Sequence, residues 1–250
     1  MTRDPRLREL GAFLRARRSE TAPADPDASR RQVPGLRREE VAAAVFISSE
    51  YYTRIEQGRL APSAEVLARL ATLYRLNEDQ RFYARNLLSG EETADVPAAP
   101  DPRMLRLLDQ LAAMPALLIG PGTAILAWNA AAAAMFVDFG RIPAADRTYV
   151  RLIFTDAEFQ SRFRDLPGMR ETVTGILRAS GPPGQAAGLA AENAAFRELW
   201  ERHDVTQPHS HLPIPLTHPV DGAVEVEQSV FRSADDPGQR LLLFARVERG

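Results

Sequence analysis

The chain of 250 residues has no cysteine, so a disulfide framework, a thiol nucleophile and a cysteine-based metal site are all excluded. Lysine is absent as well, and every one of the 31 basic residues is an arginine. We read that bias as a property of the coding DNA rather than of any chemistry. No apolar run is long enough to span a bilayer, and the N-terminus lacks a signal-peptide pattern. A cytoplasmic protein with no membrane partner is therefore expected. Enzyme signatures are missing too: G-x-S-x-G, a Walker loop, H-E-x-x-H and carboxylates paired at a recognisable spacing do not occur. The sequence accordingly predicts no enzymatic role and no metal.

What is present is asymmetric. The net charge of −2 conceals 16 arginines against 12 acids in residues 1–90, a charge of +4, and 15 against 21 in the remainder, a charge of −6. A basic half and an acidic half suggest one nucleic-acid surface and one region that stays away from phosphate. The length allows two modest domains, each able to bury a core.

The most informative stretch runs from Arg38 to Gly58, REEVAAAVFISSEYYTRIEQG. Val41, Ala42 and Val45 repeat at helical spacing, Ile47 follows, and Tyr52 with Ile55 resumes the period after a short break. Ser48 ends the break as an N-cap, its hydroxyl able to take an orphan amide of the second helix. Two short helices with an apolar seam and a tight turn describe a helix-turn-helix, whose second helix enters the DNA major groove. Ala42 is the small residue wanted at the helix crossing, and Glu56, Gly58, Pro62 and Ser63 close the motif. Phe46 stands at the turn position that Gly usually fills. Because the chain there often turns through positive φ, a slightly different or strained turn is expected.

Around this motif, residues 6–18 read as an amphipathic first helix with Arg15, Arg17 and Arg18 facing outward. Residues 19–34 read as a loop. A fourth helix is expected to start near Pro62, and Asn77 with Gln80 to form a capping box for a fifth. An all-α domain of five helices thus fills residues 1–90, and residues 91–102 have the composition of a linker. Residues 103–250 are mixed. A helix at 102–113 leads to strands near Ala116–Ile119 and Ala124–Trp128 across a Gly-Pro-Gly turn, and Asn129 caps the alanine-rich run 130–137. Helices follow near 150, 159, 173 and 197, then strands at Val224–Arg232 and Leu241–Val247. Two strands, a helical block and a closing hairpin suggest an α+β domain with an antiparallel sheet, the order of a PAS-like domain.

In LGAFLRARR, VPGLRREEVA and YYTRIEQGR, and in LAWN, RELWERHDV and HPVDG of the second half, the chain resembles the MmyB-like transcription regulators over about residues 7–248. The resemblance implies a bacterial regulator: a Cro/repressor-type DNA-binding domain fused to a PAS-like domain whose pocket accepts a fatty-acid-like effector. The chain departs from that family at Phe46, and again in TQPHSHLPIPL and THPVDG, where relatives are more basic. If a basic cluster there holds an acidic effector head, the departure argues for a different or neutral ligand.

The residues expected at DNA follow from the motif. Ser48, Ser49, Glu50, Tyr51, Thr53 and Arg54 lie on or beside the outward face of the second helix. Arg17, Arg37, Arg38 and Arg59 flank it where phosphate contacts position a domain without reading sequence. Arg54 is the candidate for base readout, since arginine reaches guanine O6 and N7 with two hydrogen bonds. Glu56 faces the core and is expected to pair with an arginine. One such domain reads few base pairs, so a homodimer on a pseudo-palindromic operator is expected. The aromatic residues Trp128, Phe136, Phe154, Phe196, Trp200, Phe231 and Phe244 are candidates for binding a small apolar effector, although such stripes more often form core. His203, Asp204, His209 and His211 lack the second pair that would complete a metal site. Three other readings of the second domain stay open: dimerisation or partner docking, a coloured cofactor such as flavin or haem, and catalysis.

Overall fold

The computed structural model describes residues 4–23, 35–89, 99–181, 185–207, 212–233, 236 and 238–247. It divides into two compact units, Met1–Glu92 and Thr93–Gly250.

Among the described residues of the first unit are helices α1 (Pro5–Glu20), α2 (Arg38–Ala44), α3 (Ser49–Glu56), α4 (Ala64–Leu73) and α5 (Glu78–Ser89). Their apolar stripes meet in one core that buries Leu10, Phe13, Leu14, Val41, Val45, Tyr52, Ile55, Leu70 and Tyr83. Local chemistry sets the boundaries. Asp4 caps α1 through the Arg6 amide, and the Ser63 hydroxyl accepts from the Val66 amide at 3.2 Å. The fourth helix therefore begins after Ser63, and Pro62 precedes the cap rather than filling the first turn. Asn77 and Gln80 exchange the two bonds of a capping box at 3.1 and 2.9 Å.

The second unit begins with α6 (Pro102–Gln110), β1 (Ala116–Ile119) and β2 (Ile125–Trp128). A helical block follows, comprising α7 (Ala130–Met135), α8 (Tyr149–Thr155), α9 (Ala157–Gln160), α10 (Leu166–Ser180), α11 (Gln185–Glu192) and α12 (Ala194–Glu201). Strands β3 (Leu212–His218), β4 (Gly222–Arg232) and β5 (Arg240–Arg246) complete an antiparallel sheet of order β2-β1-β5-β4-β3. Its inner face packs against the helical block through an aromatic cluster, with Phe136 and Phe244 5.0 Å apart and Tyr149 and Phe159 5.2 Å apart. The other face rests partly on α6, where Leu108 meets Ala116 and Leu241. Residues 99–101, which composition places in the linker, are bonded to this unit. The Gln239 side chain donates to the Ala99 carbonyl at 2.9 Å, and Ser233 donates to the Asp101 carboxylate at 2.9 Å. Residues 91–98 of that expectation lie outside the described residues.

Strand β3 has no counterpart in the sequence expectation, because LPIPLTH carries two prolines. Its place at the sheet edge explains how they are tolerated. The Pro215 carbonyl points away from β4 and accepts from the Arg164 amide at 3.1 Å, so the missing N–H of Pro215, and of Pro213 two residues earlier, costs no ladder bond. Asn129 does more than cap α7. Its carboxamide also takes the Ala116 amide and donates to the Leu111 and Met114 carbonyls, tying the end of α6 to the sheet.

Candidate functional sites

The α2–α3 pair has the geometry the motif requires. Ser48 accepts from the Tyr51 amide at 3.1 Å and opens α3. Phe46 carries the turn at φ 58°, the left-handed region, at a cost of roughly 1–2 kcal/mol for a residue with a β-carbon. Its ring is 83 % exposed, and the Arg69 guanidinium lies 5.9 Å from the ring centroid. The turn thus keeps the backbone that glycine would give it, with the strain borne by a phenylalanine. At the far end of α3, Gly58 turns at φ +62°, and a β-carbon there would stand 2.7 Å from the Arg8 backbone. That contact is the physical content of the closing E-x-G.

Glu56 is the hub that fixes α3. Its carboxylate, fully buried, accepts from Arg18 at 2.5 Å and from Arg38 at 2.7 Å, and from the Tyr52 hydroxyl at 2.9 Å. Tyr52 in turn shares a hydrogen bond of 2.6 Å with Tyr74. The cluster joins α1, α2, α3 and the end of α4. Burial alone would push the Glu56 carboxyl up, but the bonds from Arg18, Arg38 and Tyr52 outweigh it and hold the group below the ordinary carboxylate value. Burial pushes the hydroxyls of Tyr52 and Tyr74 up, so both stay protonated.

With Tyr52, Ile55 and Glu56 turned inward, α3 presents Ser49, Glu50 and Arg54 to solvent, with Tyr51 and Thr53 half-buried. Ser48, Arg37 and Arg59 are exposed beside it. Two arginines expected on the outer surface are not there. Arg17 is 8 % exposed, bonded to Glu20 at 3.1 Å and set 5.6 Å from the Phe13 ring. Arg18 is buried against Glu56. Arg17 is therefore corrected from a phosphate contact to part of the α1 packing. Arg38, although half-exposed, is committed to Glu56.

In the second unit a cavity of about 270 Å³ opens between α10 and the inner face of the sheet. Met169, Val173 and Ile176 of α10 wall it on one side, and Ile119, Ile214 and Leu242 of the sheet on the other. Polar groups on the wall include Tyr149, Asp165, Gln228 and Arg240. Nothing in the sequence pattern marked these residues, beyond an Arg and a Gln at inner positions of otherwise apolar strands. The seven aromatic candidates lie elsewhere. Phe136, Phe154, Phe196 and Phe244 are between 0 and 4 % exposed and pack as core. Trp128 is half-buried with Arg147 over its ring, and Trp200 stacks on Phe196 with the Arg178 guanidinium 3.8 Å from its ring centroid. Phe231, 52 % exposed, is corrected outright: its register partner is Leu241, on the α6 side of the sheet. His209 and His211 lie outside the described residues, and no group of three or more potential metal ligands occurs among the described ones. No described helix is long and apolar enough to cross a membrane.

Comparison with known proteins agrees with both halves of this geometry. A helix-turn-helix domain family matches residues 9–82. The family described as the MmyB-like transcription regulator ligand binding domain matches residues 100–248. Together they define a DNA-binding transcription regulator with a ligand-binding domain. The second match spans more than half of the chain, and the protein belongs to the MmyB-like transcription regulators. No curated protein matches it.

Proposed function

We propose that the protein is a bacterial, cytoplasmic regulator whose affinity for operator DNA is set by a small apolar, fatty-acid-like effector in the second unit. The observation that carries the effector reading is the cavity of about 270 Å³ with mostly apolar walls inside the family's ligand-binding domain. Its size is near the lower end of ligand pockets, roughly 300–1,000 Å³, and mostly apolar walls with a few convergent polar groups are the usual character of such sites. The order of strands, helices and closing strands supports the PAS-like reading. On the DNA side, Ser48, Ser49, Glu50, Tyr51, Thr53 and Arg54 face the major groove, while Arg37 and Arg59 meet phosphate. A homodimer reads two half-sites about one helical turn apart.

An effector can move DNA affinity only by its own differential affinity for two states, typically about 1–3 kcal/mol. The test is a thermal-shift series of saturated fatty acids on the full chain, followed by titration of a selected operator with and without the best binder. The expected result is a rise in melting temperature together with a change of roughly 5- to 150-fold in operator affinity. If no fatty acid stabilises the chain, the dimerisation or docking reading of the second unit replaces this one.

A further inference from the structure

Among the described residues, two polar groups on the cavity wall lack the partners that burial demands. Arg240, at the start of β5, is 6 % exposed. Among the described residues its guanidinium bonds only to the Ser180 hydroxyl, at 3.4 Å, and to no carboxylate. Tyr149, on α8, is 6 % exposed, and its hydroxyl has no hydrogen-bond partner among the described residues. Both line the same cavity. Buried arginine is ordinarily paired, and a buried hydroxyl ordinarily bonded, because desolvating either without compensation is costly.

The surroundings sharpen the point. The β4–β5 register places Arg232 directly opposite Arg240, and like charges in that relation are destabilising. Burial, then the charge of Arg232, pushes Arg240 down to about 10, which still leaves it cationic at neutral pH. The cavity wall has one carboxylate among the described residues, that of Asp165. It is spent at the start of α10, accepting from the Gly168 amide at 3.0 Å. Among the described residues the inner strand face is therefore a net positive, under-bonded end of a mostly apolar chamber.

We propose that Arg240 and Tyr149 form an anion site that holds the acidic head of an amphiphilic effector, whose apolar tail lies along Met169, Val173 and Ile176. The inference rests on the effector reading above and adds the charge of the ligand and the residues that select it. It also answers the departure from the family in THPVDG: a basic cluster there is not needed when β5 supplies the cation from within the cavity.

The test compares decanoic acid, its methyl ester and 1-decanol on the full chain by calorimetry at neutral pH. Wild type is expected to bind the acid at least about ten-fold more tightly than the two neutral probes, the scale of a charge-assisted hydrogen bond. Arg240→Met should abolish that preference by weakening the acid alone. Since the substitution removes a buried charge that has no carboxylate partner among the described residues, the melting temperature of the ligand-free variant should not fall. Tyr149→Phe, which keeps the packing, should reduce the preference part of the way. Equal binding of acid and ester by wild type, or an unchanged preference in Arg240→Met, overturns the anion site while leaving the effector reading intact. Failure of all three probes to bind overturns both.

Discussion

Arg54 and Arg59 lie on one exposed surface at the end of α3, yet they should behave differently on DNA. Arg54→Ala is expected to weaken specific binding by about 1–3 kcal/mol and to relax preference at one base position. Arg59→Ala should weaken all sequences about equally and reduce the salt slope by about 1. Binding-site selection followed by titration at several salt concentrations separates the two. If Arg54→Ala changes neither affinity nor preference, α3 does not read bases. At this scale the sequence was readable where a residue has a local job. Ser48 as a cap, a different or strained turn at Phe46 and Glu56 as a core-side partner of arginine all follow from spacing and motif. Arg17 was not, because charge suggested solvent while position said otherwise. It falls four residues after Phe13 and three after Leu14, on the buried stripe, where a long side chain can lay its stem along apolar surface. Arg240 was illegible for a related reason: nothing local distinguishes a buried strand arginine from an exposed one.

Helices α1, α2 and α3 meet at a single carboxylate, which makes the presentation of the recognition helix sensitive to one ionisation. Glu56→Gln should cost about 3–5 kcal/mol, since it leaves Arg18 buried without its charge partner. The pH dependence has a definite sign. The native Glu56 carboxyl titrates below its ordinary value of 4.5, so its contribution is complete above that value and is lost as pH falls through the lower native one. Acid titration of thermal stability should show this component in wild type and lose it in Glu56→Gln. An unchanged acid profile would mean that Glu56 is not the coupled group. Elements with caps or strong periods were legible, as α3, α5, α7, β1 and β5 show. Strand β3 was hidden by its prolines, which are disqualifying in a central strand and harmless at an edge. Helix α11, QAAGLAAE, was missed because its small side chains and glycine give little period to read.

For the whole molecule, a DNA-binding unit and a ligand-binding unit are useful together only if the state of one biases the other. A two-fold dimer is the expected vehicle, because two half-sites multiply the few base pairs that one α3 can reach. Light scattering should report a dimer on operator DNA, and a monomer both free and bound would rule the arrangement out. The fold class of each half could be read from motif and element order. The cavity could not, because it is made by side chains from α8, α10, β1, β3, β4 and β5, which only the folded sheet brings to one place.

The prolines of β3 set a further limit on how copies of this chain can associate. An edge strand with a full row of outward donors and acceptors is a template for another strand. Here Pro213 and Pro215 present no donors outward, the Pro215 carbonyl is taken by the Arg164 amide, and the Thr217 amide is taken by the Arg162 carbonyl. The opposite edge, β2, is only four residues long. Among the described residues neither border offers a continuous ladder, so both edges of the sheet are poor templates for the strand of a second copy.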